Sequence, residues 1–273
     1  MGAKAKVRIV IFCICLVVFL VAFGYIIRHQ LDAHNREQAR VQLTEEVRVE
    51  PSDEAETTED EPDVEEVEEL EEELEEEPSV EVEIPIDFGL LQERNPDVHA
   101  WIRIPGTAID YPILQSTDYQ EFYLDHDIDR QPDRAGALFT QDFNRLDFRC
   151  VHTVIYGHDM ADGSKFGTLY RYLDARFMEE HEFIYIYTPR NIFRYQVVYA
   201  VTYDDRHLLI SFNFRNDDEY ELFIYSLQNS PNVNNQWNPN ANWRVGDPLI
   251  TLSTCTENTF QRLLIGAILI EEF

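Results

Sequence analysis

Hydrophobic and polar positions divide the chain into three stretches. Residues 9–27 are an unbroken apolar run, residues 44–83 are dominated by glutamate, and from Ile84 onward apolar residues recur at regular spacings. The third stretch is long enough to bury a core of its own. The pattern therefore predicts a single folded domain at 84–273, with no internal repeat.

Eight runs in the folded part are rich in β-branched and aromatic residues, and Pro, Gly, Asn or Asp bound several of them. They predict strands at 99–104, 109–114, 137–140, 151–156, 183–188, 192–202, 249–254 and 262–270. So many strands with so few helices predict a mainly β fold, a closed or nearly closed barrel.

Three segments of the folded part predict helices. Residues 86–95 form a short candidate that ends before Pro96. Residues 166–180 and 217–228 each carry apolar side chains three and four positions apart, the spacing of one buried helix face.

The apolar run at 9–27 reads IVIFCICLVVFLVAFGYII and contains no charge. About 20 such residues cross a hydrocarbon core as a helix. The run is longer than a secretory signal core and ends in bulky residues, which favours a retained anchor over a cleaved signal. Residues 1–8 carry three cations and predict a cytoplasmic tail, with the folded domain outside the cell.

The acidic stretch accounts for most of the formal net charge of −30. Residues 44–83 contain 22 Asp or Glu against one Arg. High charge with low hydrophobicity predicts a disordered, self-repelling spacer over 28–83, either a stalk or a solvated segment with no task. No basic stripe is present, which argues against nucleic acid as a partner.

Of the four cysteines, Cys13 and Cys15 lie in the apolar run, so only Cys150 and Cys255 remain as candidates for chemistry in the folded part. Of these two, Cys255 ends a predicted strand and Arg262 begins the next, so a hairpin brings thiol and guanidinium onto neighbouring strand ends. A cation there favours the thiolate and stabilises negative charge on a carbonyl oxygen. Cys150 suggests no role.

A cysteine nucleophile needs a proton partner, and histidine is the natural one. Six histidines fall in the folded part, and composition alone does not choose among them. His158 has the most favourable setting, because VIYGHDMADGS places it where an apolar strand gives way to a polar loop.

Together these segments resemble a known family. TLSTC at 251–255 with Arg262 resembles the signature strand of the sortases, and VIYGHDMADGSKFGTLYRYL resembles the histidine segment of their class B branch. NPDVHAWIRIPGTAIDYPILQ and FYLDHDIDRQPDRAGALF resemble that branch as well, so the resemblance covers roughly residues 95–270. Two departures are Asp159, where Asn or His is more usual, and a short Cys-to-Arg interval.

The resemblance implies an eight-stranded sortase-type β-barrel with an N-terminal helix and a helix between the sixth and seventh strands, for which 217–228 is the candidate. It implies a membrane-bound cysteine transpeptidase of Gram-positive bacteria that cleaves a C-terminal sorting signal. The acyl group passes through a thioacyl intermediate on Cys255 to an amine of the cell wall or a pilin. His158 and Arg262 complete the catalytic set, and the resemblance aligns Leu124, Leu209 and Ile210 with the substrate groove. Ser253 and Thr254 flank the nucleophile and are candidates either for substrate contact or for packing within the strand.

Alternatives remain at this level. The same trio serves a cysteine endopeptidase that acts mainly by hydrolysis, and a catalytically silent scaffold in pilus assembly could keep the fold. The resemblance favours an Asn-Pro-x-Thr signal over Leu-Pro-x-Thr-Gly. No cofactor is expected and no metal site is predicted, because His and Cys show no ligand spacing and the acidic run lacks the glycine of a calcium loop.

Overall fold

The secondary structure is mainly β, with helices at the N-terminus and between strands. The computed structural model describes residues 3–49, 83–255 and 260–273. The helices are α1 (Ala3–Val47), α2 (Phe88–Arg94), α3 (Ala175–Glu180), α4 (Leu208–Ser211) and α5 (Asp217–Gln228), with 3₁₀ turns at Phe122–Leu124 and Leu169–Leu173. The strands are β1 (Val98–Arg103), β2 (Asp110–Leu114), β3 (Leu138–Phe139), β4 (His152–Tyr156), β5 (Phe183–Tyr187), β6 (Ile192–Asp204), β7 (Gln236–Trp237), β8 (Leu249–Cys255) and β9 (Gln261–Glu272).

The strands close into a barrel. Their order is β5-β1-β2-β3-β4-β8-β9-β6, and a further pairing of β5 with β6 completes the ring of eight. The two-residue strand β7 attaches to β6 outside that ring and was not predicted. The predicted eight-stranded barrel is confirmed, as are the N-terminal helix α2 and the helix α5, which lies between the sixth and seventh barrel strands.

Side chains alternate between the barrel interior and its outer layer, as the period of a strand requires. On β4, Ile155 belongs to the interior cluster, whereas its neighbour Val154 packs in the cluster that α5 covers. On β8, Ile250 and Leu252 are interior and Leu249 faces the α5 side. One face of each of these strands therefore fills the barrel, and the other face packs in the cluster that α5 covers.

The segment predicted as one helix at 166–180 forms two separate helical pieces, a 3₁₀ turn and the helix α3. A 3₁₀ turn at Leu169–Leu173 stops at Asp174, whose carboxylate accepts a bond from the Phe177 backbone N–H at 3.1 Å and caps α3. Aspartate is a strong helix-starting residue, so the chain restarts there despite the continuous apolar stripe. The prediction of a single helix is wrong for this reason.

Helix α1 continues far beyond the apolar run. An 18-residue window of it, with mean hydropathy 1.9, is long and apolar enough to cross a membrane. Its last turns dock on the barrel, where Leu43 and Val47 are buried in one cluster with Ile86, Phe88 and Leu91. The predicted disordered spacer at 28–83 is wrong over 28–47, which is helical and whose end is held on the barrel by these apolar contacts. Residues 50–82 lie outside the described residues.

The two ends of the acidic segment lie side by side. Arg48 and Ile86 form an antiparallel bridge, and the Asp87 backbone N–H donates to the Val47 carbonyl at 2.7 Å. The Val49 N–H donates to the Pro85 carbonyl at 3.3 Å. The described ends of the acidic segment are thus adjacent, and the stalk stays a prediction because residues 50–82 lie outside the described residues.

Two buried histidines make stability sensitive to acid. Burial lowers the pKa of His99 to about 4 and that of His152 to about 3. Between pH 6.5 and 4 the unfolded chain binds protons at these sites while the folded chain does not, so the free energy of unfolding falls as pH falls, by roughly 3 kcal/mol per histidine at pH 4.

The measurement is denaturant unfolding of the full-length protein in detergent at pH 7 and pH 4.5. His99→Gln should show a smaller fall between the two pH values than the wild type. His34→Gln, at an exposed position of α1, should behave as wild type. An equal fall in all three proteins would contradict the assignment.

Candidate active site

Three strand ends meet at one rim of the barrel. Strands β4 and β8 run parallel with Tyr156 opposite Ser253, so both finish at the same edge. Strand β9 starts at that edge, because the β8–β9 pairing places Cys255 opposite Arg262. The predicted hairpin is thus present, and residues 256–259 of its loop lie outside the described residues.

The chain turns immediately after β4 to place His158 at this rim. The Gly157 backbone N–H donates to the Ser253 carbonyl at 3.2 Å. A Cβ atom on Gly157 would lie 2.4 Å from Cδ2 of Leu138 and 2.7 Å from Cδ2 of Phe166, so only glycine fits. His158 then donates from Nε2 to the carbonyl oxygen of Leu124 at 2.6 Å, which fixes the direction of the ring.

A cavity of about 220 Å³ opens at the rim. Its lining includes five residues predicted from sequence: Leu124, His158, Ser253, Thr254 and Arg262. The Arg262 guanidinium donates to the Gln261 carbonyl at 3.1 Å. The backbone of Cys255 follows directly on Thr254, so β8 delivers the nucleophile candidate to the same cavity edge. These five predicted residues thus line one space at the end of β8.

Leu209 and Ile210, predicted as substrate-binding, lie elsewhere. They line a separate depression that also contains Cys150, and Ile210 is 67% exposed. Both belong to α4, where each residue is rotated by about 100° from the one before. Leu208 faces the cavity, so its two successors turn away from it.

Sequence reasoning missed His207, which lines the cavity beside Tyr156. Strand β6 ends at Asp204 next to the start of β9, so the DDRH segment that follows belongs to the same rim. The sequence signal for His207 is the one that pointed to His158, a polar loop directly after an apolar strand. His207 donates from Nε2 to the Gln141 amide oxygen at 2.6 Å.

Burial shifts the pKa of two residues that line the cavity, His207 and Tyr156. Burial lowers the pKa of His207, which favours the neutral imidazole near neutral pH. Burial also raises the pKa of Tyr156, with Glu121 acting in the same direction and Arg262 against it, so the phenol stays protonated. Asp204 and Arg206 bind each other through two hydrogen bonds. His207 and Tyr156 are therefore the neutral titratable members of a lining that also contains the acidic residues Glu121, Asp204 and Asp205.

Neither a metal centre nor a second thiol is found near the cavity within residues 3–49, 83–255 and 260–273. No group of three or more His, Cys, Asp or Glu in those residues could hold a metal ion. Cys150 is a free cysteine on the far side of α4, where its sulfur accepts a bond from the Arg145 backbone N–H at 3.3 Å. The candidates for cysteine chemistry at the described cavity are therefore its histidines, its arginines and the end of β8.

The arrangement matches a known family. Residues 102–269 match the model of the Sortase domain. The chain belongs to the sortase family. Sortase B of Staphylococcus aureus is 30% identical over 187 residues, covering 67% of this chain and 75% of that protein. Sortase B of Listeria monocytogenes serovar 1/2a is 34% identical over 190 residues, covering 67% and 73%.

Solved structures agree. The structure titled Staphylococcus aureus sortase B-substrate complex has a TM-score of 0.60 to this sortase at 30% identity, covering 68% of this chain and 85% of that one. This sortase is therefore class B-like, with cysteine transpeptidase activity. Sortases act on sorting signals and on amine acceptors, so a peptide groove next to the nucleophile is required.

Proposed function

We propose that this sortase cleaves a sorting signal with Cys255 as nucleophile, His158 as proton carrier and Arg262 as stabiliser of the oxyanion. The observation that carries the proposal is the meeting of β4, β8 and β9 at one rim, where Cys255 is paired opposite Arg262 and His158 follows β4. His207 and Arg206 line the same cavity, but the His207 ring is bonded to the Gln141 amide and the Arg206 guanidinium to the Asp204 carboxylate.

The chemistry proceeds in two acyl transfers. The Cys255 thiolate attacks the scissile carbonyl carbon, and Arg262 faces the oxygen that becomes negative. The carbon–nitrogen bond then breaks, and His158 donates its proton to the leaving amine. In the second half an acceptor amine attacks the thioester, gives a proton to the histidine and releases the thiolate.

The groove beside the trio supplies the contacts for the signal peptide. Leu124 is 40% exposed and provides an apolar wall, and Ser253 and Thr254 border the nucleophile on β8. The Leu124 carbonyl also holds His158, so a peptide packed on Leu124 lies directly against the proton carrier. The class B likeness favours an Asn-Pro-x-Thr signal, and a peptidoglycan precursor or a pilin as the acceptor.

The proposal includes a membrane arrangement, which the long apolar part of α1 supports. Residues 9–27 form the anchor, residues 1–8 face the cytoplasm, and the catalytic domain from residue 84 onward lies outside the cell. The short cationic tail before the span supports this orientation. Extracellular placement brings the active site to secreted clients and to wall precursors.

The test is a peptide-transfer assay with the full-length protein in detergent. Sorting-signal peptides are incubated with and without hydroxylamine, and mass spectrometry identifies the products. A hydroxamate at the threonine carboxyl, absent in Cys255→Ala, is the expected result. Hydrolysed peptide alone, at all hydroxylamine concentrations, would show an endopeptidase, and the absence of any cleavage across a library would favour the silent scaffold.

A further inference from the structure

Helix α1 contacts the loop that carries His158. Arg36 on α1 donates from Nη2 to Oδ2 of Asp162 at 2.8 Å, across 126 positions of sequence. The two side chains are only 23% and 17% exposed. Asp162 belongs to residues 158–166, here named the His158 loop. A partly buried ion pair thus joins the membrane-proximal helix to the loop that holds the proton carrier.

Asp162 organises the tip of the His158 loop. Its Oδ1 accepts bonds from the backbone N–H and the hydroxyl of Ser164, at 3.0 and 2.5 Å, while its Oδ2 is left to Arg36. Burial opposes ionisation of Asp162, but the bonds from Arg36 and Ser164 outweigh it, so the pKa lies below its usual value. Asp162 is therefore a carboxylate, and both of its oxygens are engaged.

The base of the loop is closed and is also held from α1. The Phe166 backbone N–H donates to the His158 carbonyl at 2.9 Å, so the two ends of the loop move together. The Lys165 N–H donates to the Tyr111 hydroxyl at 3.1 Å. Arg40 on α1 sits over that tyrosine ring, 5.7 Å from its centroid. The helix thus touches the loop at its tip and, through Tyr111, at its base.

We propose that Arg36 is a positioning residue for catalysis, which sets the place of His158 by holding the His158 loop through Asp162. The inference rests on the proposed role of His158. The His158 loop carries the His158 imidazole, whose Nε2 makes one hydrogen bond across the cavity, to the Leu124 carbonyl. Loss of the Arg36 bond lets the tip move, and the short connection from the tip to His158 passes that movement to the ring. A misplacement of about 1 Å in a catalytic group is enough to cost up to 100-fold in rate.

The experiment measures kcat and KM for peptide cleavage by the full-length protein in detergent. Arg36→Ala should lower kcat by about 10- to 100-fold and change KM less than twofold, because the peptide groove is untouched. Arg36→Lys should recover most of kcat, since an ammonium also pairs with Asp162. The matched control is Arg28→Ala, on the same helix. The Arg28 side chain is 84% exposed, and its one ion pair within the described residues is with Asp32 of α1, at 3.9 Å. This variant should act as wild type.

A second variant keeps the test sharp if Arg36→Ala unfolds. Asp162→Asn retains the Oδ1 acceptor for Ser164 and removes only the charge that Arg36 binds, so it should lose kcat to a similar extent. The double variant Arg36→Ala/Asp162→Asn should be no worse than either single one. Wild-type kcat in both single variants, with His158→Ala inactive, overturns the positioning role alone. Near-normal activity in His158→Ala overturns the proposed function instead.

Discussion

Replacing Cys255 by alanine is expected to abolish both cleavage and transfer, with a fall in kcat of at least about 10³-fold. The reason is chemical, since no other thiol lines this cavity within the part of the chain that the structure describes, and loss of the nucleophile removes the covalent route. The backbone pairing of Cys255 with Arg262 on the β8–β9 hairpin is unaffected by a change beyond Cβ. The fold should therefore remain intact, and unfolding curves should coincide with those of the wild type.

Cys150→Ala is the matched control for Cys255→Ala. Cys150 is a free, half-buried thiol that lies outside the cavity, so its removal should leave kcat within about twofold of wild type. Trapping with a sorting-signal peptide, followed by mass spectrometry, should place the acyl adduct on the peptide fragment containing Cys255. An adduct on Cys150, or full activity without Cys255, would overturn the central assignment.

Replacing Arg262 by lysine is expected to reduce kcat by about 10²–10³-fold, the cost of losing one oxyanion donor. Lysine keeps the charge but loses the planar fork, which matches a developing oxyanion in a fixed direction. If Arg262 acted only by favouring the Cys255 thiolate, a point charge would suffice and lysine would rescue activity. KM should change less than kcat, because the donor acts mainly in the transition state.

The measurement that separates the two roles of Arg262 has two readouts. Turnover is compared among the wild type, Arg262→Lys and Arg262→Ala, and the rate of Cys255 alkylation is followed against pH in each. An oxyanion role predicts poor turnover in the lysine form with an alkylation profile close to that of the wild type. Normal turnover in the lysine form would leave charge as the explanation.

The site could be predicted from sequence wherever local patterning sets it. Strands β8 and β9 read as alternating apolar runs, and a short loop between them puts Cys255 and Arg262 at facing ends. His158 follows an apolar strand that is punctuated by Gly157. Each of these predictions depends on residues close in the chain, and strand period together with turn chemistry determines them.

The features that the sequence did not predict depend on how elements pack and end in the folded chain. Leu43 and Val47 are four positions apart, as on a helix face, but the glutamates around them hid that signal and the buried partner surface could not be foreseen. The cap at Asp174 overrode a continuous apolar stripe. Leu209 and Ile210 were carried over by resemblance, and only the rotation of α4 shows that they face away from the groove.

The continuous helix α1 also limits the distance between the active site and the proposed membrane anchor. Arg36, which contacts the His158 loop, is nine residues beyond the end of the apolar run at residue 27, a rise of about 14 Å along a helix. Tyr25, inside that run, already lines a cleft shared with His158 and Met160. With residues 9–27 as the anchor proposed above, we expect the reaction to take place beside the lipid headgroups. A client would then be cut close to the membrane surface, and the acceptor would have to reach that surface.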